Sequence, residues 1–393
     1  MRTAFDLLRV LRPSETVKRR GDVVRFASLW RSRRFAEAAD LAISVADEEP
    51  RNPSFALLLA RLHREGLVPL DHALRALRRV DEPRAKFALI DLLWLRCRTD
   101  EAANLAHDMI ENANVRWMVR IAALLHDHGD VDGALDLVQR ASRRSSFAMV
   151  PRGYVRMMAD ASRRGILRDG VSALALRVDD RLRSDMGATR TRLANCARSI
   201  AIVANGPLAA PVGTQIDQHQ CVVRLNRHGL SADVGRASKL GAASEGHDWL
   251  GEKIDIWFRP PERDHVHFSD PIPDHLVLTG PNLPARFANG VRLLEPYLNQ
   301  PATVETVPNE VYCDLFERFQ AVPSVGAIAI AMVADVQGTL DPTQTFGFKP
   351  LSNTLNVSRL RDRVVVGRKP NRHDWLAEAA FLQEKVGQLT PNA

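Results

Sequence analysis

Ser199-Ile200-Ala201-Ile202-Val203-Ala204-Asn205-Gly206-Pro207 is the stretch on which the fold turns. Its first half is apolar at every position rather than at alternate ones, which is how a strand covered on both faces reads. That run leads straight into Asn-Gly-Pro. Glycine lets the chain turn sharply and approach a ligand closely, and an asparagine amide can donate to a phosphate. The pair is therefore either an ordinary strand-to-helix turn or the ligand edge of an open α/β sheet.

Similar short runs follow towards the C-terminus, at 221–225, 254–258, 276–279, 303–307, 345–348 and 363–366. Helical patterns fall between some of them, at 310–320, 325–336 and 373–386. Apolar strands separated by helices predict a largely parallel sheet with both faces covered.

Residues 21–190 follow a different rule. They are rich in Ala, Leu and Arg, and one pattern recurs: Phe35–Ala42, Asp71–Leu77, Asp100–Ala106 and Asp132–Leu137. Aligned on Ala39, Ala73, Ala103 and Ala134 they stand 34, 30 and 31 residues apart. That period predicts a solenoid of stacked helical pairs, tetratricopeptide-like, with alanine where two helices cross closely. The run His126-Asp127-His128-Gly129-Asp130-Val131-Asp132 looks like a metal cluster by itself, but in register with the repeat it is an interhelical turn. The expected layout is a basic segment over 1–20, a helical-repeat domain over 21–190 and an α/β domain over 191–393, with a linker near 185–198.

The net charge of +7 over 393 residues suggests nucleic acid at first sight. Residues 1–190 carry 34 Lys and Arg against 26 Asp and Glu, or +8, and residues 191–393 carry 20 against 21, or −1. The excess belongs to the repeats, and no aromatic-and-basic strand motif accompanies it, so nucleic acid is not an expected partner. No stretch is long and apolar enough to span a membrane, and the N-terminus lacks the apolar core of a signal peptide. The four cysteines show neither paired nor metal-ligand spacing, which suggests reduced thiols and a cytoplasmic setting. Phe5, Leu8 and Leu11 beside Lys18-Arg19-Arg20 read either as a solvated first helix or as a peripheral contact with an anionic inner membrane.

Four further features carry chemistry in their order and spacing. They are Ile216-Asp217; Val222-Val223-Arg224-Leu225-Asn226 followed by Asp233-Val234-Gly235; Pro323-Ser324-Val325-Gly326 opening an apolar helix that leads to Phe346-Gly347-Phe348; and His373 with Glu378 five residues on. Together with Ile200–Gly206, this series resembles the motifs of the animal-type sialyltransferases, glycosyltransferase family 29, including their bacterial members. The resemblance covers about residues 199–386. It implies a Rossmann-like, variant GT-A domain and a CMP-activated nonulosonic acid donor, usually CMP-sialic acid. It also implies a glycan or glycolipid acceptor and no metal or other cofactor.

By position, the resemblance implies that Asn205 and Gly206 hold the donor phosphate or sugar and Asn226 the nucleotide. It places Ser324 near the sugar carboxylate, Gly326 against cytidine and Gly347 in the base pocket. His373 becomes the general base and Glu378 its supporting residue. The chain departs from the family pattern in three places. Ala204 stands where a glycine is usual, no cysteine follows Ser324, and residues 349–372 lack the family's phosphate-contacting histidine. Lys349, Arg368, Lys369 and Arg372 are candidates to supply positive charge there instead. The donor thus stays open between CMP-sialic acid and a relative such as CMP-Kdo.

The chemistry asked of these residue types is sound apart from any resemblance. An attacking hydroxyl must lose its proton, and a neutral imidazole takes it near physiological pH. Backbone N–H groups at a helix start can stabilise a leaving CMP. Asp-x-Asp occurs only at Asp130–Asp132, outside the α/β half. His265, His267 and His275 form a group that either lines an acceptor site or decorates a surface loop. The other reading of the whole chain is a helical-repeat scaffold whose C-terminal domain binds a nucleotide without turnover.

Overall fold

The structure is a computed structural model of the chain. It describes residues 17–64, 66–144, 155–196, 199–204, 210–226, 250–261, 273–280, 290–348 and 373–386. Contacts divide the molecule into two compact units. The first holds residues 1–150, with 320–322 and 353–374; the second holds 151–319, 323–352 and 375–393.

The helices of the first unit are α1 (Val17–Arg31), α2 (Phe35–Glu48), α3 (Pro53–Arg64), α4 (Leu70–Arg78), α5 (Pro83–Leu95), α6 (Thr99–Met109), α7 (Val115–His128) and α8 (Val131–Arg144). Each packs on the next, and α3 packs on α5 as α2 does on α4. The aligned alanines are buried: Ala73, Ala103 and Ala134 are at 0% exposure and Ala39 at 3%. A methyl group at these places lets backbones approach, so the spacing seen in the sequence is a packing requirement. The polar links between pairs repeat with the same period. Trp94 Nε1 donates to Asp127 Oδ2 at 3.0 Å and Arg96 Nε to His63 Nε2 at 3.0 Å, both across 33 residues. Arg120 to Asp91 and Arg140 to Glu111 each span 29. The histidine- and aspartate-rich run at 126–132 is a turn: Gly129 caps α7 at φ +102°, and Asp130 Oδ1 accepts from Gly133 N at 2.9 Å.

The second unit contains α9 (Val155–Arg163), α10 (Gly170–Ser184), α11 (Ala188–Ala194), β1 (Ile200–Val203), α12 (Gly213–Asp217), β2 (Cys221–Leu225), β3 (Ile256–Arg259), β4 (His275–Leu278), α13 (Gly290–Leu294), β5 (Thr303–Thr306), α14 (Asn309–Phe319), α15 (Val325–Gln337), β6 (Thr345–Phe346) and α16 (Trp375–Val386). The six strands form one parallel sheet in the order β5-β4-β3-β2-β1-β6. Strands β1, β2 and β3 are buried at every residue, as their apolar runs predict. Ala201, Val203, Val222 and Phe346 meet Ile216 of α12 on one face. Leu225, of opposite parity on β2, turns to the other face, where α15 lies over β2 and β3. The expected strand at 363–366 lies outside the described residues.

The boundary falls earlier than the sequence placed it, because α9–α11 belong with the sheet rather than with the repeats. Polar side chains weld α10 and α11 to the β5 edge. Arg181 donates to the carbonyls of Leu298, Gln300 and Ala302. Asp185 Oδ2 accepts from Val304 N at 2.7 Å, and Glu305 accepts from Ala188 N at 2.8 Å and Thr189 N at 3.0 Å. Helical periodicity reads the same in a repeat and in a helix that covers a sheet, so composition could not separate the two. Cys196 and Cys221 carry free, buried thiols, whereas Cys97 and Cys313 are disulfide-bonded; the expectation of four reduced cysteines is corrected. Among the described residues no helix is long and apolar enough to cross a membrane.

Candidate functional site

From β1 the chain steps outward strand by strand to β5, then returns to lay β6 on the other side of β1. This reversal puts the carboxyl ends of β1 and β6 at the topological switch point, where open α/β sheets form their ligand crevice. The helix that precedes β6 is α15, and its N-terminus arrives at the same edge. A Cβ on Gly326 would meet Phe348 Cε1 at 3.3 Å, just past β6, and Leu225 Cδ1 at 3.8 Å, the last residue of β2. Glycine eases the meeting of three elements there, since a methyl group would push on the Phe348 ring.

Asn226 follows Leu225 and is exposed. Its backbone sits at φ +52°, a left-handed conformation that asparagine tolerates better than most residues. Two bonds to β3 hold it so: Asn226 N donates to Phe258 O at 2.8 Å, and Trp257 Nε1 donates to Asn226 O at 2.6 Å. The amide side chain is thereby left at the carboxyl edge. Gly347, also left-handed at φ +67°, turns the chain after β6, whose Phe346 O accepts from Ala204 N at 2.8 Å.

Ser324 caps α15 and is itself clamped. Its Oγ accepts from Ala327 N at 3.2 Å and donates to Glu378 Oε2 at 2.6 Å, while its N–H donates to Glu378 Oε1 at 2.9 Å. Glu378 is 2% exposed. Both of its oxygens are thus committed to Ser324, so it acts through that residue rather than by facing solvent. The hydroxyl hydrogen of Ser324 is spent on Glu378, leaving only lone-pair capacity at its Oγ. The next two backbone N–H groups, of Val325 and Gly326, carry no hydrogen bond among the described residues, and they stand at the positive end of an apolar helix.

His373 is half-buried and belongs with Val322 in the first compact unit. Its Nδ1 lies 2.7 Å from Val322 O. A carbonyl can only accept, so Nδ1 bears a hydrogen; in the neutral ring that puts the lone pair on Nε2, the tautomer a base needs.

Beneath the edge, Arg224 is fully buried on β2. It donates from Nε to Lys253 O and from Nη2 to Leu250 O, both at 2.8 Å. Burial pushes its guanidinium down to about 10, opposed by Asp217, so it stays charged at neutral pH. Asp217 in turn accepts from Glu252 N at 2.8 Å and Lys253 N at 3.0 Å. Two motif residues therefore fix a turn.

Asn226, Ser324, Gly326, Gly347 and Glu378 come together within the second unit, whereas Asn205 and Gly206 lie outside the described residues, as do Lys349, Arg368, Lys369 and Arg372. His275 opens β4 at the amino edge, with Nδ1 2.6 Å from Thr303 Oγ1, away from the crevice; His265 and His267 are outside the described residues. Trp257, which sets Asn226, went unnoticed in the sequence because only the β2–β3 register reveals it. Among the described residues no group of three or more His, Cys, Asp or Glu side chains is placed to hold a metal. No family model, curated protein or solved structure matches the chain.

Proposed function

We propose that the chain is an inverting, metal-independent glycosyltransferase. It moves sialic acid, or a related nonulosonic acid, from a CMP-sugar to a glycan or glycolipid acceptor. In this reading the sheet unit is a Rossmann-like, variant GT-A catalytic domain and the helical unit is a tetratricopeptide-like solenoid.

The observation that carries the reading is the meeting of Gly326, Leu225-Asn226 and Gly347-Phe348 around the carboxyl end of β1. Three stretches far apart in sequence, each singled out for donor binding, supply one crevice. Asn226 offers its amide to the nucleotide, and the N–H groups of Val325 and Gly326 receive the phosphate as it gains charge. Asn205 and Gly206 take the donor phosphate or sugar, a role that rests on their place in the sequence motif. Gly347 borders the base. Glu378 is a positioning residue that holds Ser324 and, with it, the start of α15.

His373 Nε2 takes the acceptor's hydroxyl proton as the oxygen bonds to the anomeric carbon. The bond from that carbon to the phosphate oxygen breaks, CMP leaves with the electron pair, and direct displacement inverts the anomeric centre. The solenoid and the basic segment 1–20 then serve to bring the enzyme to its acceptor, through a protein partner or the anionic inner leaflet of a cytoplasmic membrane.

Titration of the full chain with CMP, alongside CMP release from CMP-sialic acid and CMP-Kdo, tests the reading. Asn226→Ala is expected to weaken CMP binding at least tenfold. His373→Ala is expected to keep CMP binding and lose at least a hundredfold in CMP release, within the range for a removed general base. Full turnover in His373→Ala removes the assigned base, and a wild-type chain that binds no CMP overturns the whole reading.

A further inference from the structure

The opposite edge of the sheet holds a second concavity, of about 780 Å³. It lies at the amino ends of β1 and β6. Its wall includes Ser199 before β1, His219 before β2, Gln337 at the end of α15, and Thr339, Asp341 and Thr343 before β6. From these groups we infer that the groove binds an organic cation, an ammonium or guanidinium group, at a place distinct from the CMP crevice.

The electrostatics set the sign of the ligand. Among the described lining residues there is no Lys or Arg, and Asp341 is the one carboxylate. The carboxyl end of α15 opens onto the groove through Gln337 and Gly338, which brings the negative end of the helix to its wall. Nucleotides, phosphates and nonulosonic acids are therefore repelled.

Hydrogen-bond capacity points the same way. His219 Nδ1 lies 2.9 Å from Gln215 O and 3.2 Å from Ile216 O. Those carbonyls only accept, so Nδ1 bears a hydrogen, and in the neutral ring Nε2 presents a lone pair. Asp341 Oδ1 accepts from Thr343 N at 2.8 Å and Thr343 Oγ1 at 2.7 Å, and the carboxylate also receives Gln344 N in a capping box; this orients it, and the lone pairs of two carboxylate oxygens leave acceptor capacity over. Ser199 Oγ, which already accepts from Gln220 N at 3.0 Å, and Thr339 Oγ1 add hydroxyls that can take or give a hydrogen. The wall thus offers mostly acceptors, which suits a donor-rich cation.

The acceptors are held in place before any ligand arrives. Asp341 and Gln344 close a reciprocal capping box, with Asp341 N donating to Gln344 Oε1 at 3.0 Å. Leu340 N donates to Lys385 O at 2.8 Å. The described cations nearby all have partners: Lys385 Nζ is 3.2 Å from Glu384, Arg190 is 3.0 Å from Asp335, Arg192 pairs with Asp255 at 2.8 Å, and Lys253 Nζ donates to the carbonyls of His219 and Gln220 behind the wall.

The ligand could be a free polyamine or a basic peptide side chain, since both present the same group. Calorimetric titration of the full chain at low ionic strength, with spermidine and with the peptide acetyl-Lys-Arg-Arg-amide, separates them; glutarate serves as the charge-reversed control. We expect saturable binding of one of the two cations at one site per chain, and none of glutarate. Asp341→Lys should weaken it at least tenfold. Thr339→Lys, which leaves the capping box alone, should do the same, and Asp341→Asn, which keeps a capping side chain, about threefold. Asp81→Asn, in the helical unit, should change nothing. Binding that fails to saturate, survives both lysine variants or weakens equally in Asp81→Asn overturns the proposal. CMP binding in the same variants reports on the other edge separately, so a chain that takes spermidine but no CMP rejects only the proposed activity.

Discussion

The helical unit and the sheet unit bury polar groups in different ways. In the helical unit several part-buried polar bonds reach about thirty residues along the chain, to the next helical pair, as His63 to Arg96 and Asp91 to Arg120 do. In the sheet unit, buried carboxylates bind backbone N–H groups far away in sequence. Asp255 takes Val222 N, Glu305 takes Ala188 and Thr189, and Glu378 takes Ser324 across 54 residues. A repeat can lose one link and keep its neighbours. A sheet whose segments meet through single carboxylates has no such redundancy, and its candidate site depends on one of them.

The largest effect should come from Glu378→Ala. It strands the N–H and O–H of the half-buried Ser324, at up to about 1–3 kcal/mol each. Hydrogen exchange read by mass spectrometry should show protection falling in α15 and α16 but not in α1–α8. Equal loss in both units would break the contrast.

An acid titration works on the other side of it. Burial and Arg96 push His63 down to about 4, from an ordinary value near 6.5. Below pH 6.5 the unfolded chain takes up this proton first, so the stability tied to neutral His63 is whole above that pH and drains away towards pH 4. The slope is about 1.4 kcal/mol per pH unit, or roughly 3 kcal/mol in all. Denaturant melts of the helical unit's tryptophans from pH 7 to 4 should show it, and His63→Gln should flatten the dependence.

Next in size is Ala103→Leu, which overpacks a helix crossing at 0% exposure and should cost about 1–3 kcal/mol by chemical denaturation. Smallest is Glu101→Gln. Its contacts with Arg78 and Arg98 are well exposed, so the change should stay under about 1 kcal/mol. A larger loss would mean that the helical unit, too, hangs on single links.

Legibility followed the same division. The alanine period was visible because every repeat solves one crossing problem in one way, and buried Ala73, Ala103 and Ala134 bear it out. Strands β1 to β6 were visible as apolar runs flanked by turns, although β3 and β4 sit a residue or two from their expected starts. Pairing across the sheet was not visible. Trp257 reaching Asn226, and Asp185 reaching Val304, follow from which strands become neighbours, which no local pattern states. Glu378 was noticed for its spacing from His373, yet its partner is Ser324. For the same reason the helices of 155–194 were assigned to the wrong side of the boundary: their partners lie more than a hundred residues away.

One of those distant partners bears on how copies of the chain behave in a crowded solution. The outer rim of a sheet is normally a template on which another molecule can add a strand. Here Asp185 occupies Val304 N on the β5 rim, and Arg181 takes carbonyls in the approach to it. On the other rim β6 is two residues long, Thr345–Phe346, too short to seat an incoming strand. Both rims are blunted, one by a side chain standing in for a neighbour and one by brevity. Among the described residues, growth of the sheet from molecule to molecule, the usual first step towards fibrous aggregates, is therefore hindered at each rim.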